Sequence, residues 1–303
     1  MKLEKALEQF HSWNATGRGM HTQRNYKQWL NTFLVFMGKE KKVQDITHED
    51  LIRYFNHLHT KQWSDNYISL HMVALKVFWR YITHIRKTRV PIELIRVPRT
   101  YNTSYQSATG EDAEKLLSVI DSQSDLIRTR DQLIIALLYV SGMRVSELCD
   151  LKMQDIELAE QKAFVRTKKN NNMRAIFWDD YTEHLMLKYL EERMVYAKSE
   201  HLIINVNRDP KNTGTAMTTR SIERLLRTYR EKAGITKRIV PHSFRHGLGS
   251  DMARQGVHMR HIQKILGHNA IQSSMVYMQL NDEDLKETYK ILSEKRKLNN
   301  TKP

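Results

Sequence analysis

Val240-Pro-His-Ser-Phe-Arg-His246 decides the fold, together with Leu266-Gly-His-Asn269 and Tyr277 further along the chain. The first segment carries an imidazole and a guanidinium three residues apart, at His242 and Arg245. The second segment adds another imidazole, and a phenol follows it. A fixed cation, two titratable rings and a hydroxyl nucleophile are the groups that a metal-free attack on a phosphodiester needs. Taken alone, the same residues also fit ordinary surface and core helices.

Helical signals connect these side chains. The pattern predicts three helices, at Ser243–Gln255, Met259–Leu266 and Ile271–Met278. We expect the first helix to use its serine as N-cap and to stop at Gly256, and Gly267 to end the second. The histidine before the first helix then lies at its mouth and the arginine in its first turn, so that both can address one anion.

Composition narrows the class of partner. The chain has 303 residues, 40% of them hydrophobic, which allows two domains and a sizeable core. Its formal charge of +15 predicts a polyanionic partner, most often nucleic acid. A membrane surface is the competing partner, but the sequence shows no long apolar run, signal peptide or lipidation motif. The alternative is a basic globular protein without such a partner.

Cysteine usage excludes some kinds of site. Cys149 is the only cysteine, so an intrachain disulfide and a cysteine-based zinc site are both excluded. We expect a reducing, cytoplasmic location. The leucine neighbours of this cysteine favour a buried small hydrophobe over a reactive thiol.

The first part of the chain reads as helical. Periodicity predicts helices over Thr22–Met37, Asp50–Thr60 and Ser64–Arg86, and Thr47 has the spacing of a capping box. Their aromatic residues fit a core better than base-stacking platforms. Basic residues on the other faces can follow DNA phosphates, although each alone fits a solvated side chain. The candidates for DNA contact here are Arg24, Lys27, Lys76 and Arg80.

The helical pattern stops between residues 89 and 106, where Pro91 and Pro98 lie in an extended, basic stretch. We interpret 89–106 as a linker between a helical domain, 1–88, and a second domain, 107–303. Thr109 restarts a helix with a second capping-box spacing.

An apolar helix predicted over Asp125–Tyr139 is interrupted at Gly142, and Arg144 opens the next helix. Backed by so apolar a helix, this arginine is well placed to be held rigid. Glu147, one turn later, can hydrogen-bond the guanidinium or a nearby base. The alternative is a surface Arg–Glu pair that contributes little.

A change of period then predicts a β-hairpin, with strands at Phe164–Arg166 and Ala175–Trp178. Lys168 and Lys169 lie in its turn, where they can reach a DNA groove or protonate a leaving oxygen; such a turn is also common as a plain surface loop. Further helices are predicted at Asp180–Tyr196 and Thr218–Ala233, which makes the fold mainly α with a small β-sheet.

Taken together, four motifs resemble the tyrosine recombinase or phage integrase family in order and spacing, and the resemblance covers nearly the whole chain. They are Ser141-Gly-Met-Arg-Val-Ser-Glu-Leu148, Pro241-His-Ser-Phe-Arg-His246, Leu266-Gly-His268 and Tyr277. The N-terminal helices resemble the family's SAM-like core-binding domain. The Xer-like and simple transposon integrases are the most similar subgroup, because we expect no arm-binding domain before the helical one. Phe244 stands where the family often has leucine.

The resemblance implies a reaction. Tyr277 would attack a scissile phosphate to give a 3′-phosphotyrosine and a free 5′-hydroxyl. Arg144 and Arg245 would hold the non-bridging oxygens with planar, permanently charged groups. His268 would hydrogen-bond the phosphate in the transition state, and His242 would assist proton transfer from the tyrosine. No metal and no cofactor is implied.

Supporting roles follow from the same resemblance. A hairpin lysine would protonate the departing oxygen: counting back from Arg174 favours Lys169, whereas the Thr-Lys form of relatives favours Lys168. Glu147 would orient its arginine and histidine partners. Arg174 is a further candidate for DNA contact.

The implied assembly is a two-domain clamp, 1–88 and 107–303, around double-stranded DNA. Four protomers would pair two sites through a Holliday junction, as a homo-tetramer or together with a paralogous recombinase. The tail 282–303 would dock on a neighbouring subunit; the alternative is a helix that packs within its own subunit. The biological role stays open between dimer resolution of the Xer type and integration or excision of a mobile element.

Two rival functions share this scaffold. One is a catalytically silent, sequence-specific DNA-binding protein, which would need no tyrosine at this spacing. The other is a type IB topoisomerase-like enzyme that nicks and reseals DNA without exchanging partners.

Overall fold

The computed structural model describes residues 1–17, 19–86, 106–122, 124–167, 172–206 and 210–267. Over these ranges the chain is mainly helical with one small antiparallel sheet, which confirms the predicted fold class. It divides into two compact units, Met1–Thr103 and Ser104–Pro303. Nearly all of the predicted linker, 89–106, lies outside the described residues.

The described residues of the first unit contain four α-helices: α1 (Leu3–Ala15), α2 (Met20–Met37), α3 (His48–Thr60) and α4 (Asp65–Arg86). The three predicted helices of this region are confirmed to within two residues at each end. Helix α1 was not among the predicted helices, although Leu3, Ala6, Leu7 and Phe10 are buried at helical spacing along it.

Aromatic side chains fill the core of this unit. Phe33 packs edge-on against Tyr54, with ring centroids 5.0 Å apart, and Phe10 packs in the same way against Phe78 at 5.5 Å. All four rings are fully buried. Edge-to-face contacts of this kind stabilise a core beyond the apolar area they bury. The interpretation of these aromatics as core is therefore confirmed.

Both predicted capping boxes are present. In the first unit the hydroxyl of Thr47 accepts from the backbone N–H of Asp50, and the carboxylate of Asp50 accepts from the N–H of Thr47. Thr109 and Asp112 form the same reciprocal pair at the start of the second unit. Each box satisfies two backbone donors that the first turn of a helix leaves without partners.

The second unit contains seven helices and three strands among its described residues: α5 (Gly110–Ser118), α6 (Asp125–Ser141), α7 (Val145–Asp150), β1 (Ile156–Glu157), β2 (Lys162–Thr167), β3 (Asn172–Phe177), α8 (Asp180–Arg193), α9 (Thr219–Lys232), α10 (Pro241–Arg254) and α11 (Met259–Leu266).

Helix α6 forms the centre of the unit. Leu133, Ile134, Ile135, Leu137 and Leu138 are all fully buried, because the helix packs on α5, α8 and α10. Cys149, on α7, belongs to the same core, as predicted. The predicted bounds of α6 and α8 differ from those observed by two or three residues at their C-terminal ends.

The predicted hairpin is confirmed and acquires a third strand. Strands β1, β2 and β3 pair in that order and antiparallel, with Val165 opposite Arg174. The turn between β2 and β3 lies outside the described residues.

The predicted start of α10 is wrong. The helix begins at Pro241 with Val240 as N-cap, and Ser243 is its third residue. Proline suits the first helical position because it has no N–H to lose and its φ is already helical. The hydroxyl of Ser243 accepts from the N–H of Val240 instead. His242 therefore lies within the first turn.

Candidate active site

Arg144 is held at the start of α7 by the turn that ends α6. Gly142 adopts a left-handed conformation with φ of 57°, which a residue with a side chain adopts at a cost, and Met143 is fully buried. Arg144 is the N-cap of α7 and 33% of its side chain is exposed. The turn thus presents a guanidinium that is fixed at its base and still accessible.

Glu147 fixes that guanidinium. Its buried carboxylate accepts from the backbone N–H of Arg144 at 2.9 Å and from the guanidinium of the same residue at 2.7 Å. A guanidinium nitrogen of Arg174 donates to it from β3 at 2.8 Å. Burial opposes ionisation, but the charge of Arg174 and the donors of Arg144 hold the pKa of Glu147 below its ordinary value. The surface-pair alternative for Arg144 and Glu147 is therefore wrong.

Arg245 connects two turns. It lies on α10, 1% exposed, and its guanidinium donates to the carbonyl oxygen of Gly142 at 3.0 Å and to that of Leu266. These carbonyls belong to the C-terminal turns of α6 and α11. In this position Arg245 is covered by protein, so that contact with a phosphate requires exposure of its guanidinium.

The end of α11 is an assembly point for three arginines. The carbonyl oxygens of Ile265, Leu266 and Gly267 accept, in that order, from the guanidinium groups of Arg174, Arg245 and Arg144. The last carbonyls of a helix have no partner within it and carry the negative end of the helix dipole. Guanidinium groups donate hydrogen bonds to these oxygens, and their positive charge complements the negative end of the dipole.

His242 lies on the same helix as Arg245. Burial of its ring, followed by the positive charges of Arg245 and Arg144, lowers the pKa of His242 below its ordinary value. The ring of His246, one turn further along α10, packs perpendicular to it at 4.5 Å between centroids. The lowered pKa favours the neutral form of His242, the state in which it can accept a proton.

The buried imidazole of His246 gives the unit a dependence on pH. Burial, followed by the charge that His242 carries when protonated and by the charge of Arg245, lowers the pKa of His246 to about 4, whereas an unfolded histidine titrates near 6.5. Between those pH values the unfolded state binds the proton more readily, so the native state loses stability as pH falls through this window. Above pH 6.5 the ring is mostly neutral in both states, so this dependence of stability on pH disappears.

We expect His246→Gln to become more stable relative to the unchanged protein as pH falls from 6.5 towards 4, because glutamine does not titrate. The measurement is the difference between the two unfolding midpoints in urea at pH 7.5, 6.0 and 5.0. A difference that stays constant across this range would contradict the assigned burial of a neutral ring.

The remaining predicted site residues fall into two groups. Lys168, Lys169, His268 and Tyr277 lie outside the described residues. The candidates for DNA contact in the first unit lie at surface positions on two helices: Arg24 and Lys27 on α2 and Arg80 on α4 are exposed, and Lys76 on α4 is half-buried.

Arg174 lies in a different place from the one expected of a DNA contact. Its side chain is only 9% exposed, and its guanidinium is bound to Glu147 and to Ile265. Nothing in the local sequence signals this contact, since the strand register that aims Arg174 at Glu147 appears only in the folded sheet.

Neither a metal-binding cluster nor a membrane-spanning helix is present in the described part of the chain. Within it, no group of three or more His, Cys, Asp or Glu side chains is arranged to hold a metal ion. None of the helices described there combines the length and the apolar character needed to cross a membrane.

Comparison with known families connects this geometry to a class of protein. Residues 106–284 match the phage integrase family, and residues 7–87 match the N-terminal SAM-like domain of phage integrases. The chain belongs to the phage integrase family. It is a tyrosine recombinase of the Xer-like type, as the four sequence motifs predicted.

Individual relatives agree with this membership. This tyrosine recombinase is 30% identical over 283 residues to tyrosine recombinase XerA of Thermococcus kodakarensis, an alignment that covers 93% of each chain. Two solved structures share the fold. The XerH recombinase bound to difH DNA in a post-cleavage complex is 22% identical with a TM-score of 0.75, covering 91% of this chain and 81% of XerH. The Tn1549 transposon integrase in complex with transposon end DNA is 17% identical with a TM-score of 0.79, covering 97% and 100%.

Proposed function

We propose that this recombinase cleaves and rejoins double-stranded DNA through a covalent bond to Tyr277. The observation that supports this most strongly is the convergence at the end of α11. Arg144 and Arg245 hold the carbonyls of two adjacent residues there, Gly267 and Leu266, and the chain continues directly into His268.

In the cleavage step one proton leaves the attacking phenol and another is given to the departing 5′ oxygen. The phenol oxygen of Tyr277 forms a bond to phosphorus while the bond from phosphorus to the 5′ oxygen of the next nucleotide breaks. His242 takes the phenol proton, and Lys169 or Lys168 gives a proton to the departing oxygen. The phosphotyrosine conserves the energy of the broken ester. Attack by a 5′-hydroxyl on this intermediate rejoins the strand without ATP.

Electrostatic stabilisation of the phosphate is the second part of the mechanism. Arg144 presents a guanidinium whose orientation Glu147 and the carbonyl of Gly267 fix before DNA arrives. Preorganised donors of this kind lower the barrier because they need no reorientation in the transition state. Arg245, once its guanidinium is exposed, and His268 would add donors to the same phosphate.

Binding to DNA would involve both units. The exposed basic residues of α2 and α4 would contact phosphates from the helical unit, 1–88, while 107–303 carries the chemistry, and the two together would enclose the duplex. XerH and the Tn1549 integrase were each solved in complex with DNA, which supports duplex DNA as the partner. We propose a tetramer of identical or paralogous subunits that works through a Holliday junction and exchanges the tail 282–303.

The cellular role follows the two kinds of relative. Similarity to XerA proteins along 93% of the chain supports resolution of chromosome or plasmid dimers. The fold shared with a transposon integrase supports integration or excision of a mobile element. Either role places the protein in the cytoplasm, where the DNA is.

A nicked substrate tests the proposal. The binding site is first enriched from a pool of random duplexes. That site is then prepared with a nick beside the expected cleavage position, so that the released fragment diffuses away and the protein stays attached. We expect a covalent adduct, and recombinant products when two intact, differently labelled duplexes are supplied. Binding without an adduct would indicate a silent DNA-binding protein. Relaxation of a supercoiled plasmid that carries the site, without recombinants, would indicate a topoisomerase-like enzyme.

A further inference from the structure

Arg174 occupies a position that the reaction described above does not use. It lies on β3, with its guanidinium between α7 and α11. One terminal nitrogen donates to the carboxylate of Glu147 and the other to the carbonyl of Ile265, both at 2.8 Å. A single planar group therefore joins Glu147, the residue that orients Arg144, to the C-terminal turn of α11.

The fit around this guanidinium is close. Gly267 has φ of 62°, and a Cβ atom on it would lie 2.7 Å from Cδ and 2.9 Å from Nε of Arg174. Van der Waals contact begins well beyond those distances. The stem of Arg174 thus packs directly on the turn that leads out of α11, and it reaches Ile265 on the last turn of that helix.

Charge gives the contact a second consequence. If Glu147 had Arg144 as its only cationic partner, the two charges would cancel, and the pair would attract an anion weakly. Because Arg174 shares the same carboxylate, the three groups carry a net charge of one positive unit. The exposed guanidinium is that of Arg144, whereas Arg174 is nearly buried. Arg174 thereby favours anion binding at Arg144.

We propose that Arg174 is a positioning residue, which locks Glu147 against the end of α11 and so fixes Arg144 relative to the C-terminal turn of that helix. This inference rests on the proposed function, because it assigns Arg174 to the same phosphate site. It replaces the direct DNA contact that the sequence suggested for this arginine. Lysine cannot take over the task, since one ammonium group cannot reproduce the two parallel donors of the fork.

The test compares Arg174→Lys with a matched control, Arg193→Lys. Arg193 is also a buried arginine of the second unit, and its guanidinium donates to the carbonyls of Ser199, His201 and Leu202. Both substitutions keep the charge and lose the fork. Of these two arginines, Arg174 is the one that contacts Glu147.

Three quantities separate positioning from folding and from DNA contact. The first is the rate of adduct formation on the nicked duplex at saturating protein, and the second is the Kd for intact duplex as a function of salt. The third is hydrogen exchange of the α11 amides without DNA. For Arg174→Lys we expect adduct formation about 10- to 100-fold slower, Kd within about threefold, and faster exchange in α11.

For Arg193→Lys we expect a lower unfolding temperature with unchanged adduct formation, measured below the melting point of both variants, and unchanged exchange in α11. Arg174→Lys combined with Glu147→Gln should be no slower than Glu147→Gln alone, because the two residues act as one unit.

Several results would overturn the proposal. An unchanged rate with a weaker Kd, and a salt dependence reduced by about one phosphate contact, would return Arg174 to a direct DNA contact. Additive losses with Glu147→Gln would mean that Arg174 acts independently. Unchanged hydrogen exchange of the α11 amides in Arg174→Lys, measured without DNA, would by itself overturn the positioning role. If the unchanged protein forms no adduct, the proposed function fails instead, and faster exchange in Arg174→Lys would still show that Arg174 holds α11.

Discussion

Arg144→Lys will slow formation of the covalent complex by about 100- to 1,000-fold at saturating DNA. The guanidinium of Arg144 donates to Glu147 and to the carbonyl of Gly267, so its plane is fixed while 33% of the side chain remains exposed. A lysine keeps the charge but presents one rotatable group, which cannot bind two phosphate oxygens and both protein acceptors. The measurement is single-turnover adduct formation on the nicked duplex.

Arg128→Lys provides the matched control. Arg128 also pairs with an acidic residue three positions away, Asp125, and its side chain has a similar exposure of 36%. That pair lies at the other end of α6 and is open to solvent, where such pairs contribute little. We expect no more than a twofold change in its rate. Equal losses in the two variants would show that Arg144 contributes only general positive charge.

Tyr277→Phe will remove adduct formation altogether, a fall of more than about 10,000-fold. The substitution deletes the oxygen that bonds to phosphorus and leaves the ring, so no other group can replace it in the same step. Binding of intact duplex should change by less than about threefold. The measurement pairs a denaturing gel, which reports the adduct, with a binding titration on the same preparation.

Tyr181→Phe serves as the control for loss of a hydroxyl, because Tyr181 lies exposed on α8. We expect its rate to equal that of the unchanged protein. Adduct formation that persists in Tyr277→Phe would exclude this tyrosine as the nucleophile. Loss in both variants would indicate a general effect on the fold.

Much of the architecture could be predicted because the decisive signals are local. Capping boxes at Thr47 and Thr109, glycine stops at Gly142 and Gly267, and apolar periodicity each involve residues within a few positions of one another. The start of α10 was misplaced for the same reason. Serine is a common N-cap residue, which favours a helix that starts after Ser243. Proline two residues earlier already has a helical φ, so the helix begins at Pro241.

The site itself was only partly predictable. The identities of Arg144, Arg245 and His242 follow from motifs. The meeting of the two arginines at the C-terminal carbonyls of α11 depends instead on how α7, α10 and α11 pack. The contact between Arg174 and Glu147 depends on the register of β3. Neither arrangement could be predicted from the sequence, because the contacting residues are far apart along the chain.

The most direct test of the central claim is the identity of the covalent bond. Adduct formed on the nicked duplex is digested with protease, and the peptide that carries DNA is identified by mass spectrometry, while the released DNA end is tested for direct phosphorylation by a kinase. The account predicts DNA attached through a 3′-phosphate to Tyr277, and a free 5′-hydroxyl that the kinase labels. Attachment to any other residue, or through a 5′-phosphate, would contradict it.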